Sequence, residues 1–442
     1  VKRLFNIILA VLLAADISFA QVSVFTSQKA KPTGAQPAAD AVTGVGFLPL
    51  LVFYSTGPNG GTANGNVAHA ALSFGIGVSA TDRLSVGWSA QDNVATTNTG
   101  RSWRGEKNLV SHDATGAAGS AVAVADVTSM DADGFTLSWT INNATASLYN
   151  YMALGGAGVT AANVTFQNWD SASGGNKTFA HGLGTTPSIV FIFWGNASAG
   201  SGQGSTLLTC LGVGTANGDQ WVIGQLGIDA TAVAADMDAA SIGLTDKIAV
   251  RLATGPAIGN TASLVSMDAT NVTLNQDAAW NSANDFEMIA IAGGVWKIGS
   301  TAKTTGAEPA ADTIASSLGF EPKGMILMTH GKAASASPVT DAIWSVGFAS
   351  ETAENHVTAS YKDATLNTQA DSRLSNTRAL SIITAGTPTL EAELDISLDA
   401  NGVTGTWTDN HATASQILWI AVGQVSTAIV PIIREQNYRR RL

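Results

Sequence analysis

The chain has 442 residues, of which 33 are acidic and 22 basic, giving a net charge of −11. Neutralising phosphates needs clustered Lys and Arg, so this balance argues against a nucleic acid partner. Only 12% of residues are charged and 45% are hydrophobic, with 46 Gly, which rules out general disorder and suits twisted sheets joined by tight turns.

In chain order the first feature is "VKRLFNIILAVLLAADISFA", residues 1–20. A basic start (Lys2, Arg3), an apolar run from Leu4 to Ala15 and a Ser18-Phe19-Ala20 ending read as a secretory signal cut before Gln21. The run is short of the roughly 20 residues a bilayer span needs, and Asp16 weighs further against one. A retained hydrophobic anchor or packing segment is the other reading.

Next comes "TGAQPAADAVTGVGFLPLLVFY" (Thr33–Tyr54), in which Pro49 launches an apolar run. Such a run predicts a strand buried on both faces. "SFGIGVS" (Ser73–Ser79) follows, and then "MDADGFTLSWTINNATASLYNYMALGG" (Met130–Gly156). In "GFTLSWT", Phe135, Leu137 and Trp139 alternate with Thr136, Ser138 and Thr140, the period-two pattern of a half-buried strand. Asp133-Gly134 before it is a dipeptide that accepts positive φ in a tight hairpin turn.

The same marks then recur. "FAHGLGTTPSIVFIFW" (Phe179–Trp194), "CLGVGTA" (Cys210–Ala216), "MDATNVTLNQ" (Met267–Gln276) and "MIAIAGG" (Met288–Gly294) form a weaker second copy. "TGAEPAADTIASSLGFEPKGMILM" (Thr305–Met328), "SVGFAS" (Ser345–Ser350) and "LDANGVTGTWTDNHATASQILWIAVGQ" (Leu398–Gln424) form a third. In the third copy Thr404, Thr406 and Thr408 keep the outward set, and Asn401-Gly402 the turn. Helical periodicity is scarce, and its best example is "AVAADMDAASIGLTDK" (Ala232–Lys247).

The expected fold is therefore all-β: three tandem antiparallel β-sandwich or jelly-roll domains of about 130 residues behind a hydrophobic N-terminal segment. The expected spans are 1–20, 21–157, 158–297, 298–425 and a basic tail at 426–442. Each unit is long enough to close its own core. The tail, with Tyr438-Arg439-Arg440-Arg441-Leu442, reads as solvated or as a docking peptide for an assembly partner.

The search for chemistry returns little. His69, His112, His181, His330, His356 and His411 are scattered without metal-binding spacing and read as polar residues of surface loops. Cys210, the single cysteine, sits in apolar "LLTCLGVG" and reads as a buried small hydrophobe that can form no intrachain disulfide. "HGLGTTP" has Gly182 and Gly184 but leads into a strand, so it is no phosphate cradle. "DADG" lacks the remaining oxygen ligands of a calcium loop. Asp236 and Asp238 form an acidic pair in one copy only, with nothing to place them in a cleft. The 11 Trp could include sugar-stacking platforms, but Trp139 and Trp407 fall on core positions, so the set reads mainly as packing residues. No catalytic, cofactor or metal residue is assigned.

The unit, with "GF-x-P" before an apolar strand and "D-A-D-G-F-T-L-x-W…Y-x-A-L-G-G" at its close, resembles the repeated β-sandwich modules of tailed-phage virion proteins: tail-fibre, head-fibre and decoration proteins. The resemblance implies a non-enzymatic, multimeric component on the virion surface. Its implied partners are further copies of the chain, as a homo-oligomer or polymer, other virion proteins and host-surface glycans. It carries over no catalytic residue and no cofactor. The alternative is a secreted, extracellular bacterial surface protein, an adhesin, lectin-like array or filament subunit, whose sandwiches form a stalk or polymer. A secreted polysaccharide-degrading enzyme is a third reading.

Overall fold

The computed structural model describes residues 21–424, except 114, 116–119, 196–200, 231–238, 254, 256, 281–284, 363–366 and 386–388. The signal-like segment, the basic tail and the Asp236/Asp238 pair lie outside the described residues.

The first third of the chain holds β1 (Ser23–Ala30), β2 (Ala38–Thr43), β3 (Pro49–Thr56), β4 (Gly65–Ala68), β5 (Ala70–Gly77), β6 (Arg83–Ala90), β7 (Thr99–Arg104), β8 (Leu109–His112), β9 (Ala121–Asp131), β10 (Gly134–Ile141) and β11 (Leu148–Gly155). The second holds β12 (Val159–Asn168), β13 (Gly175–Ala180), β14 (Ile189–Trp194), β15 (Ser201–Gly204), β16 (Leu207–Thr215), β17 (Gln220–Gly227), β18 (Ala239–Leu244), β19 (Ala249–Ala253), β20 (Ala257–Met267), β21 (Asn271–Gln276) and β22 (Asp285–Gly293). The third holds β23 (Val295–Ala302), β24 (Ala310–Ala315), β25 (Glu321–Thr329), β26 (Val339–Thr340), β27 (Ala342–Ser350), β28 (Glu354–Lys362), β29 (Gln369–Ser375), β30 (Leu380–Ile383), β31 (Leu390–Asp399), β32 (Gly402–Asn410) and β33 (Gln416–Gln424). The last of these units opens at Val295, two residues before the expected boundary at 297.

The all-β, antiparallel expectation holds, and no helix occurs among the described residues. The helical candidate at Ala232–Lys247 fails where it is described: Ala239–Leu244 is the strand β18, and Ala239, Ala240 and Ile242 are buried in it.

Each unit contributes a long and a short sheet in the same order. The long sheets run β1-β11-β3-β5-β6-β7, β12-β22-β14-β16-β17-β18 and β23-β33-β25-β27-β28-β29. The short sheets run β2-β10-β9-β8, β13-β21-β20-β19 and β24-β32-β31-β30. In β10, Phe135, Leu137 and Trp139 are buried while Thr140 is exposed, as the alternation requires.

The apolar runs earn their double burial. In β3, Val52 and Tyr54 face the cluster between the first unit's two sheets, while Leu51 and Phe53 face away. In β14, Val190, Ile192 and Trp194 point into their own unit, and Ile189, Phe191 and Phe193 point outward from it. The outward sets of all three units meet in one shared cluster, where Phe53 lies 5.3 Å from Phe191, and Phe74 lies 5.6 Å from Phe193 and 6.1 Å from Phe348. Each aromatic pair adds about 0.5–1.5 kcal/mol beyond the area it buries. The units therefore build a common core besides their own.

The motif centres owe their glycines to a close approach. A Cβ on Gly75 would lie 2.0 Å from the carbonyl oxygen of Asn108, on Gly212 1.5 Å from that of Ile248, and on Gly347 1.6 Å from that of Ala379. These carbonyls enter β8, β19 and β30, where the edge of each short sheet crosses its long sheet. No other residue fits.

The hairpin dipeptides meet the positive-φ expectation only in part. Positive φ occurs at Gly134 (151°) but not at Asp133, Asn271 or Asn401. Instead these turns latch the loop after β2, β13 or β24: the carbonyls of Asp133, Thr270 and Asn401 accept the N–H groups of Val45, His181 and Leu318. The Asp133 carboxylate also accepts from Gly44 (3.0 Å) and Gly46 (2.6 Å), which holds it below the usual carboxylate range. Asn401 accepts from Gly319 at 2.6 Å.

Candidate functional site

The most elaborately built places in the molecule are the three seams between units. Each long sheet ends on a strand from another unit: β15 pairs with β7, β26 with β18, and β4 with β29. The second unit thus completes the first, the third completes the second, and the first completes the third. The exchange is a closed cycle, and it covers sheet edges that would otherwise offer unpaired backbone groups.

The donated strand and the next strand of its own unit are nearly continuous. His69 joins β4 to β5 at φ 73°, and Asp341 joins β26 to β27 at the same φ. A left-handed non-Gly residue costs on the order of 1–3 kcal/mol, so the surroundings must hold it. They do: the His69 N–H donates to Ala370 O at 2.8 Å, and the Asp341 N–H to Ala239 O at 3.1 Å.

At the seam of units one and two, the Arg101 guanidinium donates to the carbonyls of Gly195 and Thr206. Thr99 N–H donates to the Asp229 carboxylate at 3.0 Å. Trp103 Nε1 donates at 2.7 Å to Glu287, a fully buried carboxyl that burial raises well above the usual range. Glycine at 105 makes room for it, since a Cβ there would lie 2.3 Å from Glu287 Oε1. At the seam of two and three, Gln225 Nε2 donates to Ile343 O at 2.6 Å, and Trp221 Nε1 to Trp419 O at 3.3 Å. At the seam of one and three, Asn64 Oδ1 accepts from Ser375 Oγ at 2.8 Å, and Arg373 donates to Asn66 at 3.0 Å. The loop after β6 adds Asn93 N–H to Thr368 O at 2.7 Å and Ala370 N–H to Asp92 Oδ1 at 3.1 Å.

The histidines correct an expectation. His411 is exposed and His69 half-buried, but His112, His181, His330 and His356 are buried, not surface-loop residues. Burial pushes His112 and His356 down to about 3 and His330 down to about 4, so all three are neutral at pH 7. Of the three, His356 lies on a long-sheet strand, β28, on a face that carries Ser and Thr, as an exposed strand face would. Yet in each long sheet that face is covered by the short sheet: Ser345, Thr358 and Ser381 bond to one another there, beside His356.

His112 Nε2 lies 2.7 Å from Ser102 Oγ, superficially a nucleophile–base pair. Both residues are buried, His112 Nδ1 has no orienting partner, and its basicity is depressed, so the pair has neither access nor a base. Cys210 is buried as expected, and burial pushes its thiol up to about 12, far from a reactive thiolate. All 11 Trp are buried, so none offers an exposed stacking platform. No His/Cys/Asp/Glu group with metal-holding geometry occurs among the described residues.

Two open surface grooves can be placed among the described residues. One, of about 410 Å³, lies by Asp219, Gln220, Trp221 and Ser300 where units two and three meet; the other, of about 540 Å³, is lined by Thr304, Thr313, Thr404 and Thr406 on the third short sheet. Neither brings a nucleophile to a base. Compared with protein-family models and with curated proteins, the chain matches none.

Proposed function

We propose that the chain is a non-enzymatic structural or attachment protein displayed on a phage virion, as a fibre or decoration component, and that its thirds are homologous β-sandwich domains of jelly-roll type. The observation that carries this reading is the cyclic strand exchange, in which every long sheet is completed by another unit. A body in which each long sheet is extended by a strand of another unit and whose three units share a core resists fraying. That suits a displayed part better than a catalyst, which needs an accessible and adjustable cleft. The neutral, buried imidazoles and the unreactive Cys210 fit the same role. Other virion proteins and host-surface glycans are its partners in this reading.

The test is immunogold labelling of phage particles and of the cells around them with antibody raised against the full chain. Label on particles is expected, and turnover of polysaccharide by the purified chain would remove the non-enzymatic reading. Label on cell surfaces would favour the alternative, a secreted bacterial adhesin or filament subunit, which the signal-like residues 1–20 support. A stalk in that case would be built from closed three-unit bodies, not from single sandwiches in file.

A further inference from the structure

The seam between units one and three differs from the others in joining the ends of the described chain, and it also carries a second acid. Corresponding loops place Asp92 and Asp229 so that their carboxylates accept a neighbour's N–H, from Ala370 and Thr99 respectively. The residue after Thr99 is Gly100, whereas the residue after Ala370 is Asp371. The matching position on β18 holds Ala240. Asp371 is only 4% exposed, and it pairs in register with Ala68 of the donated strand β4. Two carboxylates thus meet where the strand of one unit lies on the sheet of the other.

We propose that this seam is an acid-held closure: a protonated Asp371 keeps β4 on β29, and ionisation of Asp371 beside Asp92 loosens it. The proposal rests on reading the seams as the functional part of the molecule. Burial first, then the Asp92 charge, pushes the Asp371 carboxyl up to about 6, against 3.8 for the free group. A raised folded value favours closure below the free value, and this is lost as pH climbs through the folded one. About two pH units of difference correspond to roughly a 100-fold change in the opening constant. Among the described residues, His69 and Arg373 stand by the pair. His69 Nδ1 accepts the Asp92 N–H at 2.9 Å. Arg373, further along β29, is engaged by Glu393 at 2.8 Å.

The test is hydrogen exchange of the full chain by mass spectrometry at pH 4 to 7, corrected for intrinsic rates, read on peptides covering 64–70 and 368–375. Wild type and Asp371→Asn are compared, so that effects common to both cancel. The corrected opening of these peptides is expected to rise about 100-fold more in wild type than in the variant across this range. Equal pH profiles would overturn the proposal. If Asp371→Asn does not fold, Asp92→Asn serves: it keeps an acceptor for Ala370 but removes the charge, and a shallower profile is expected. A profile unchanged from wild type would again overturn the closure, leaving the display reading to the labelling experiment.

Discussion

The first and third units secure one end of their sheets with the same polar clasp, while the middle unit uses stacked rings. In the first, Lys31 Nζ donates to Asn142 Oδ1 and to the carbonyls of Pro32 and Asn143, and Gln36 accepts the Asn142 N–H. In the third, Lys303, Asn410 and Glu308 repeat every one of these roles, with Thr304 and His411 supplying the carbonyls. In the middle unit Trp169 stacks on Trp280 at 4.1 Å and on Phe286 at 4.1 Å. All three units nonetheless keep one sheet order. The order follows from the apolar strands, the close-approach glycines and the turn latches, which all three share; the means of closing the sheet end is interchangeable.

The shared features should be the least tolerant. Gly212→Ala forces a Cβ against the Ile248 carbonyl, a backbone atom that cannot swing aside, and should cost about 3 kcal/mol or more. Gly75→Ala and Gly347→Ala should behave alike, whereas Gly34→Ala, with open space around it, should stay within about 0.5 kcal/mol. Denaturant midpoints decide this, and an innocuous Gly212→Ala would remove the steric account.

The two closures themselves come next. Trp280→Ala should cost about 3–5 kcal/mol, because the ring is fully buried among Trp169, Trp194 and Phe286. Lys31→Ala should cost about 1–3 kcal/mol by stranding acceptors that are partly sheltered from water. Lys303→Ala also loses a cation over the Trp407 ring at 5.5 Å and should cost somewhat more. If the lysine variants proved the more damaging, the rings would not be the stronger closure.

Acid should separate the interior from the surface. The folded values of His112, His330 and His356 lie below the free value of 6.5, so the unfolded chain binds protons first as pH falls. Their contribution to stability is complete above about 6.5 and declines toward about 4 for His330 and about 3 for His112 and His356. Against wild type, His330→Gln should flatten the dependence by about 1.4 kcal/mol per pH unit in that window. Chemical denaturation at several pH values measures it, and equal slopes would place His330 outside the titrating set. Glu354, raised to about 7 chiefly by burial, acts in the opposite sense in both proteins and drops out of the difference. The smallest effect is expected at the exposed latch, where Asp133→Ala should lower the thermal midpoint only slightly.

Much of the fold was legible because local periodicity carries it. The alternation in "GFTLSWT" gave β10 with its faces correctly assigned, and the proline-launched runs gave β3, β14 and β25. Ser and Thr facing a second sheet look the same as Ser and Thr facing water. His112 and His356 read as surface-loop residues from their scatter and lack of metal-binding spacing, although "NLVSH" and "NHVTASY" alternate well enough to mark strands. The donated strands had no signature at all. Gly65–Ala68, Ser201–Gly204 and Val339–Thr340 are short, and what fixes them is a partner elsewhere in the chain. The seams, and with them the candidate site, were therefore invisible to pattern.

A trimer of identical polypeptides must accept any replacement at three places at once. Here the corresponding positions Asn150, Glu287 and Leu418 are separately encoded. Only one of them has become an acid, and only there does an indole N–H meet it. Three similar joints on one strand of genetic text can drift apart, so that each contact acquires its own chemistry without the others having to bear it.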